Sequence, residues 1–259
     1  MTLTLLLICL TAFFAAVLTF FSGFGLGTLL APVLMIFFPV DEAIAMTGVV
    51  HFLNNIFKLV LVGKYADKFV LIRFGIPAMI AAFAGAQLLV HLDDLSPLFS
   101  YTLNGTLLSV FPVKFVIALL LLFFAAMELM PALQQLQFGK KHLIAGGLLS
   151  GFFGGLSGNQ GALRSAFLIK AGLSKEAFLG TAVVVSSAVD LTRLGVYANR
   201  FEESDLATHS TLLIAATLSA FAGAFIGNKL FKKVTVQFVQ YFVALMLVVL
   251  SLALGMGLI

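Results

Sequence analysis

Residues Gly151–Lys170 read GFFGGLSGNQGALRSAFLIK, an apolar run broken in its middle by Ser157, Gly158, Asn159 and Gln160. Apolar sequence resumes at Gly161 but lasts only to about residue 171. A helix that crosses a bilayer needs about 20 residues, so this piece is too short to span alone. Two readings compete. The glycines either let helices pack closely, or they open a helix whose freed backbone groups must face a protein-lined cavity. Recurrence elsewhere in the chain separates them.

The pattern recurs. Phe21–Leu34 reads FSGFGLGTLLAPVL, with Gly23, Gly25 and Gly27 ahead of a second short apolar piece, 24–38. At an offset of 134, Gly27 falls on Gly161, Glu42 on Glu176, Ala43 on Ala177 and Thr47 on Thr181. The pentapeptide AFAGA at Ala82–Ala86 returns as Ala220–Ala224, at an offset of 138, with four extra residues expected near Arg200–Asp205. Ordered matches of this kind indicate a duplication. The chain divides into a first transmembrane repeat at 1–130, a cytoplasmic linker at 131–141 and a second repeat at 142–259, together forming one transmembrane domain.

Composition dictates the solvent. Of 259 residues, 61% are hydrophobic and 10% charged, against about 25% charged in soluble domains. So few charges cannot cover a water-soluble globule, and lipid removes the need. Ten apolar segments follow, at 3–22, 24–38, 42–63, 69–90, 110–130, 142–157, 160–171, 176–197, 208–228 and 234–258. The expected fold is all-α and polytopic, a 5+5 inverted repeat with two short or broken helices. An odd number of crossings per repeat turns the second copy upside down.

Basic residues orient such a chain. Ten crossings put Lys64, Lys68, Lys140, Lys141, Lys170, Lys175, Lys229, Lys232 and Lys233 on the cytoplasmic side, with both termini outside. The alternative, eight spans and two re-entrant segments, places Lys64 and Lys68 opposite Lys229, Lys232 and Lys233. Residues 3–38 offer about 54 Å of helix, less than the 60 Å that two perpendicular passages through about 30 Å require. The first short element is therefore expected to be broken or half-length. The first twenty residues, without a basic start or clear cleavage site, read as a retained helix. Cys9, the single cysteine, admits neither an internal disulfide nor a thiolate metal cluster.

Short, glycine-interrupted segments at matched places of inverted repeats are a layout for transport. Exposed N–H groups at a helix start favour an anion. The candidate substrate-binding residues are Gly23, Gly25, Gly27, Asn55, Gly158, Asn159, Gln160, Gly161, Arg164 and Ser187. Asn159 and Gln160 can donate to an oxyanion, and Arg164 can hold one bidentately, unless it snorkels toward the basic loop at Lys170. A polar stripe of His51, Asn54, Asn55 and Lys58 shares one helical face, and its counterpart is Ser186, Ser187, Asp190 and Arg193. His51, Asp190 and Arg193 are the candidates for proton or ion coupling. Asp190 and Arg193, three apart, can also simply neutralise each other. Lys58, near a helix end, reads as snorkelling. Gly147, Gly151 and Gly155 form a packing stripe, as do Gly223 and Gly227.

On the motifs at Phe21–Leu34 and Gly151–Phe178, the chain resembles the TauE/SafE family of sulfite and organosulfur-anion exporters over nearly its full length. Gly23, Gly25, Gly27 and Pro32 match the first motif, and Gly155, Gly158 and Gly161 the second. The family pattern has a denser glycine run where Asn159 and Gln160 stand here. The resemblance implies a secondary transporter of a small anion such as sulfite or a sulfonate, driven by an ion gradient and placed in the bacterial inner membrane.

The sequence carries no HExxH, nucleophile or Walker motif, so neither an enzyme nor a cofactor or metal site is expected. An anion channel, or a membrane-embedded enzyme, is the rival reading. Expected partners are a small anionic substrate, membrane lipid and a coupling proton or cation. No nucleic acid is expected, and homo-oligomerisation is open.

Overall fold

A computed structural model describes residues 2–22, 26–135, 137–203, 209–230 and 236–259. Each of the ten apolar segments holds a helix. They are α1 (Thr2–Ser22), α2 (Leu26–Leu34), α3 (Val40–Val62), α4 (Lys68–Asp93), α5 (Pro112–Leu129), α6 (Leu143–Ser157), α7 (Gly161–Leu168), α8 (Lys175–Glu203), α9 (Ser210–Leu230) and α10 (Val236–Gly255). Among the described residues, four stretches are long and apolar enough to cross a membrane: Val40–Tyr65, Lys68–Asp93, Lys175–Ala198 and Ser210–Gly227. The protein is an all-α, multi-span membrane protein. Large apolar side chains lie on its outside, as in lipid they should, with Val60 79% exposed on α3.

Two helices carry visible adjustments. Within α4, Leu71–Gly75 winds as a π-helix just before Pro77. Proline has no N–H to offer the preceding turn, and a local change of winding accommodates that loss. In α2, Pro32 lies inside the helix rather than at its opening, two residues from its end. Helix α8 runs beyond residue 197 to Glu203, so Arg200 belongs to the helix and not to a loop. The sequence between Pro131 and Lys141 includes a single turn at Pro131–Gln134 and a 3₁₀ turn at Lys140–His142.

One element lies outside the helical expectation. Residues between α4 and α5 form an antiparallel hairpin, β1 (Phe99–Leu103) and β2 (Thr106–Val110), with Phe99 opposite Val110. Its two-residue turn is Asn104–Gly105, at φ 50° and 81°. Both central residues of a type I′ turn need positive φ, and Asn-Gly is the pair that supplies it best. The Tyr101 hydroxyl donates to the Met256 carbonyl at 2.7 Å, clasping the hairpin to the turn after α10.

The helices pack in four main pairs: α1 along α9, α4 along α6, α3 along α8, and α5 along α10. Glycine decides the second pair. A methyl group on Gly147, Gly151 or Gly155 would overlap the carbonyl oxygens of Phe74, Ala78 and Ala82 in turn, so α6 lies directly on the α4 backbone. The expected packing stripe is real. Both AFAGA copies make one kind of contact: Gly85 seats on the Phe152 carbonyl of α6, and Gly223 on the Phe13 carbonyl of α1.

The largest apolar core gathers side chains from α1, α2, α3, α5, α9 and α10. A smaller one joins α4, α7 and α8 around Phe74, Phe167 and Val185.

Candidate functional site

The second break is built around one backbone conformation. Helix α6 ends at Ser157, and Gly158 follows with φ 77° and ψ −5°. That left-handed geometry strains any residue with a side chain. The Gly158 N–H closes back on the Gly154 carbonyl at 3.0 Å. The Ser157 hydroxyl donates to the Phe153 carbonyl at 2.9 Å and accepts from the Asn159 N–H at 3.3 Å. Ser150 reaches across to the Gln160 carbonyl at 3.3 Å, and α7 begins at Gly161 with its first N–H groups beyond the reach of any preceding turn. The whole stretch from Ser157 to Gly161 is buried.

The first break meets it. A Cβ on Gly27, in the first turn of α2, would sit 3.1 Å from the Gly158 carbonyl oxygen and 3.6 Å from Thr47 Cγ2. The opening of α2 therefore abuts the turn between α6 and α7. Gly23 and Gly25 lie outside the described residues.

Helices α3 and α8 bring the polar stripes together in antiparallel order. Gly48 lies against Arg193 and Leu194, His51 against Asp190, and the Val62 end of α3 against Gly180. Asp190, fully buried, accepts four bonds. Its Oδ1 takes Arg193 Nε at 3.0 Å and Nη2 at 2.8 Å. Its Oδ2 takes His51 Nδ1 at 2.6 Å and Asn55 Nδ2 at 3.1 Å. A carboxylate only accepts, so His51 carries its proton on Nδ1. The 3.2 Å approach of Asn55 Nδ2 to that same nitrogen is then proximity between two donors. Asp190 and Arg193 do neutralise each other, and His51 and Asn55 complete the cluster.

Arg193 also links this cluster to the break. A Cβ on Gly158 would stand 2.7 Å from its Nη1, and Nη1 has no hydrogen-bond partner in the protein. Arg164, one turn into α7 and 9% exposed, donates to the Ser186 hydroxyl. Its Nε is likewise without a protein partner, as are both side-chain polar atoms of Asn159 and the Gln160 side-chain oxygen Oε1. The unused atoms are three donors, Arg193 Nη1, Arg164 Nε and Asn159 Nδ2, and two acceptors, Asn159 Oδ1 and Gln160 Oε1. Buried polar groups are normally paired, and unpaired ones in an apolar interior are costly. The three donors among them could serve an incoming acceptor. Among the described residues no group of three potential metal-ligating side chains occurs.

The structure sorts the sequence candidates. Asn55, Gly158, Asn159, Gln160, Gly161 and Arg164 are all at the break or on the Asp190 cluster. Ser187 faces its own helix, giving its hydroxyl to the Val183 carbonyl at 2.9 Å. Its neighbour Ser186 is the one that meets Arg164. Snorkelling of Arg164 toward Lys170 is not the arrangement adopted. Lys58, read as an interfacial anchor, is half-buried on α3.

A separate cavity of about 450 Å³ opens elsewhere, lined by residues including Met35, Pro39, Asp93, Lys114 and Ile259.

A family model described as sulfite exporter TauE/SafE matches residues 8–254. Comparison with curated proteins and with solved structures finds no match.

Proposed function

The chain belongs to the TauE/SafE sulfite exporter family, and we propose that it moves a small oxyanion by alternating access between two inverted five-helix repeats. Transport is the activity, and the protein resides in a cell membrane as a multi-pass chain.

One observation carries the anion reading. Arg164 is buried against a neutral hydroxyl, while the carboxylate within its electrostatic reach, Asp190, is already spanned by Arg193, His51 and Asn55. A guanidinium in an apolar interior needs a counter-charge or water. A sulfite or sulfonate placed between Arg164, Asn159 and the start of α7 supplies it, with two or three oxygens to accept from the unused donors. In this reading the Gln160 side-chain oxygen turns away or accepts from a protonated cargo oxygen. His51 and Asp190 form the proton or ion coupling pair, since Asp190 holds Arg193 in place and His51 can add or remove one positive charge beside it.

The packing supports the repeat. If α1–α5 and α6–α10 are the two copies, the α1–α9 contact is the counterpart of α6–α4. The α3–α8 and α5–α10 contacts lie on the pseudo-axis. The two AFAGA glycines then fall at equivalent contacts. The proposed division is 1–130, 131–141 and 142–259, with ten crossings and both termini outside. Rocking of one repeat on the other exposes the breaks to each side alternately.

Two measurements test this. Sulfite flux in proteoliposomes should require Arg164; undiminished flux in Arg164→Ala at equal protein level would remove the binding assignment. For topology, Cys9 is replaced and single cysteines are placed at Asp41, Lys68, Lys175 and Glu203. Labelling of the Asp41 and Glu203 sites from outside, with the other two protected, is expected. Labelling at Lys175 from outside would overturn ten crossings.

A further inference from the structure

We infer that the cargo occupies the site as a singly protonated oxyanion, with Asn159 and Gln160 accepting from its O–H group. This rests on the transport reading above and adds the protonation state of the cargo to it. The observation is that the break is idle in both senses. Arg193 Nη1, Arg164 Nε and Asn159 Nδ2 are donors without a protein partner, while Asn159 Oδ1 and Gln160 Oε1 are acceptors without one. Asn159 and Gln160 are each 3% exposed, so their amides are shut off from bulk water.

The residues that carry these atoms follow one line. From Gly158 to Arg164 the chain runs antiparallel to Ser186, Val189 and Arg193, which form one stripe of α8, and three contacts fix the register. A Cβ on Gly158 would stand 2.7 Å from Arg193 Nη1. A Cβ on Gly154 would stand 3.3 Å from the Gln160 amide carbon and 3.2 Å from Val189 Cγ1, so those two groups share one spot on α6. Arg164 completes the line by donating to the Ser186 hydroxyl. Asn159 stands in the chain between the first two contacts.

A fully ionised oxyanion only accepts. It answers the three donors and leaves both amide oxygens facing negative charge or nothing, in an interior where an unpaired polar atom is costly. Turning the Asn159 amide over does not help, because its oxygen stays without a donor either way. A protonated oxyanion carries an O–H beside its ionised oxygens and answers both kinds of atom at once. The cargo's own proton then crosses with it, apart from any charge taken up by His51.

The test uses methylphosphonate and methanesulfonate in mildly acidic buffer, where each is a tetrahedral monoanion. They have the same shape and charge, and only the phosphonate carries an O–H. Each competes with labelled sulfite for uptake into proteoliposomes containing the full-length protein. Methylphosphonate should compete at least about tenfold more strongly in the wild type, the effect of one buried acceptor gaining or lacking its donor. In Asn159→Leu and in Gln160→Leu, which lack the amide oxygens, that preference should shrink toward unity. Because the preference is a ratio within one variant, a general loss of flux or of protein cancels.

Equal competition by the two anions in the wild type, or a preference for methanesulfonate, would overturn the inference while leaving anion transport standing. A preference unchanged in both variants would overturn it as well, since the O–H would then be read elsewhere. Absence of any sulfite flux would instead remove the reading beneath, and the inference with it. The wild-type comparison does not depend on either variant folding.

Discussion

The two short helices occupy corresponding places in the chain and differ in almost every chemical respect. Helix α2 is Leu-rich and buried nearly throughout, with Thr28 as its one polar side chain. Helix α7 follows two buried amides and carries Arg164. At the matching register of 134, Arg164 corresponds to Leu30, which is fully buried in apolar surroundings. The contrast continues in the helices that follow. Helix α8 supplies Asp190 and Arg193, while α3 answers with His51 and Asn55. One break is lined by apolar side chains, and the other carries the buried polar ones. In the proposed repeat a single polar copy would suffice for a site, with the apolar copy packed against it at Gly27 and Gly158.

The strongest attempt to break this contrast is the pair Asp190→Asn and Asn55→Ala. Removing the Asp190 charge leaves Arg193 buried beside a neutral amide, at a cost of about 3–5 kcal/mol. Losing Asn55 removes one neutral donor, about 1 kcal/mol. Thermal unfolding in detergent should show Asp190→Asn as much the less stable. Similar values would mean that the two helices share the load.

Next in size is Arg164→Ala against Leu30→Ala. The first should lower sulfite flux about 100-fold, the worth of a charged hydrogen bond near 3 kcal/mol. The second should cost about 2–5 kcal/mol of stability and leave turnover per folded molecule within a few-fold. A transport defect from Leu30→Ala with normal stability would make α2 more than a wall.

The glycines sharpen the comparison further. Gly158→Ala meets both positive φ and Arg193 Nη1, so about 1–3 kcal/mol of strain is expected, with Arg193 displaced. Gly27→Ala meets only a 3.1 Å contact and should cost less than Gly158→Ala in the same unfolding assay. The smallest difference lies within α8. Ser186→Ala removes the group that Arg164 touches and should raise the sulfite KM about tenfold, the lower end of the worth of a hydrogen bond to a charged group. Ser187→Ala, whose hydroxyl serves its own helix, should leave the KM unchanged.

The sequence displayed the ten helices because apolar length and polar interruption are local properties. The break at Ser157–Gly161 was legible for the same reason: Gly158, Asn159 and Gln160 stand out in an apolar run. Contacts between helices were less so. That His51 should meet Asp190 depends on the crossing of α3 and α8, set by the close approaches at Gly48 and Gly180, and no spacing along one helix encodes it. The hairpin had its signal in Asn104–Gly105. Its flanking Leu, Tyr and Phe side chains look, in a chain this apolar, like the frayed end of a span.

That hairpin has a consequence for how the chain is made. Tyr101 grips the carbonyl of Met256, 155 residues further on. Synthesis proceeds at about 5–20 residues per second, so the hairpin waits on the order of ten seconds for its partner. Until Met256 has been made, the Tyr101 hydroxyl lacks this acceptor. The clasp can close only once the chain is nearly complete, so Tyr101→Phe should leave the insertion of the earlier helices untouched.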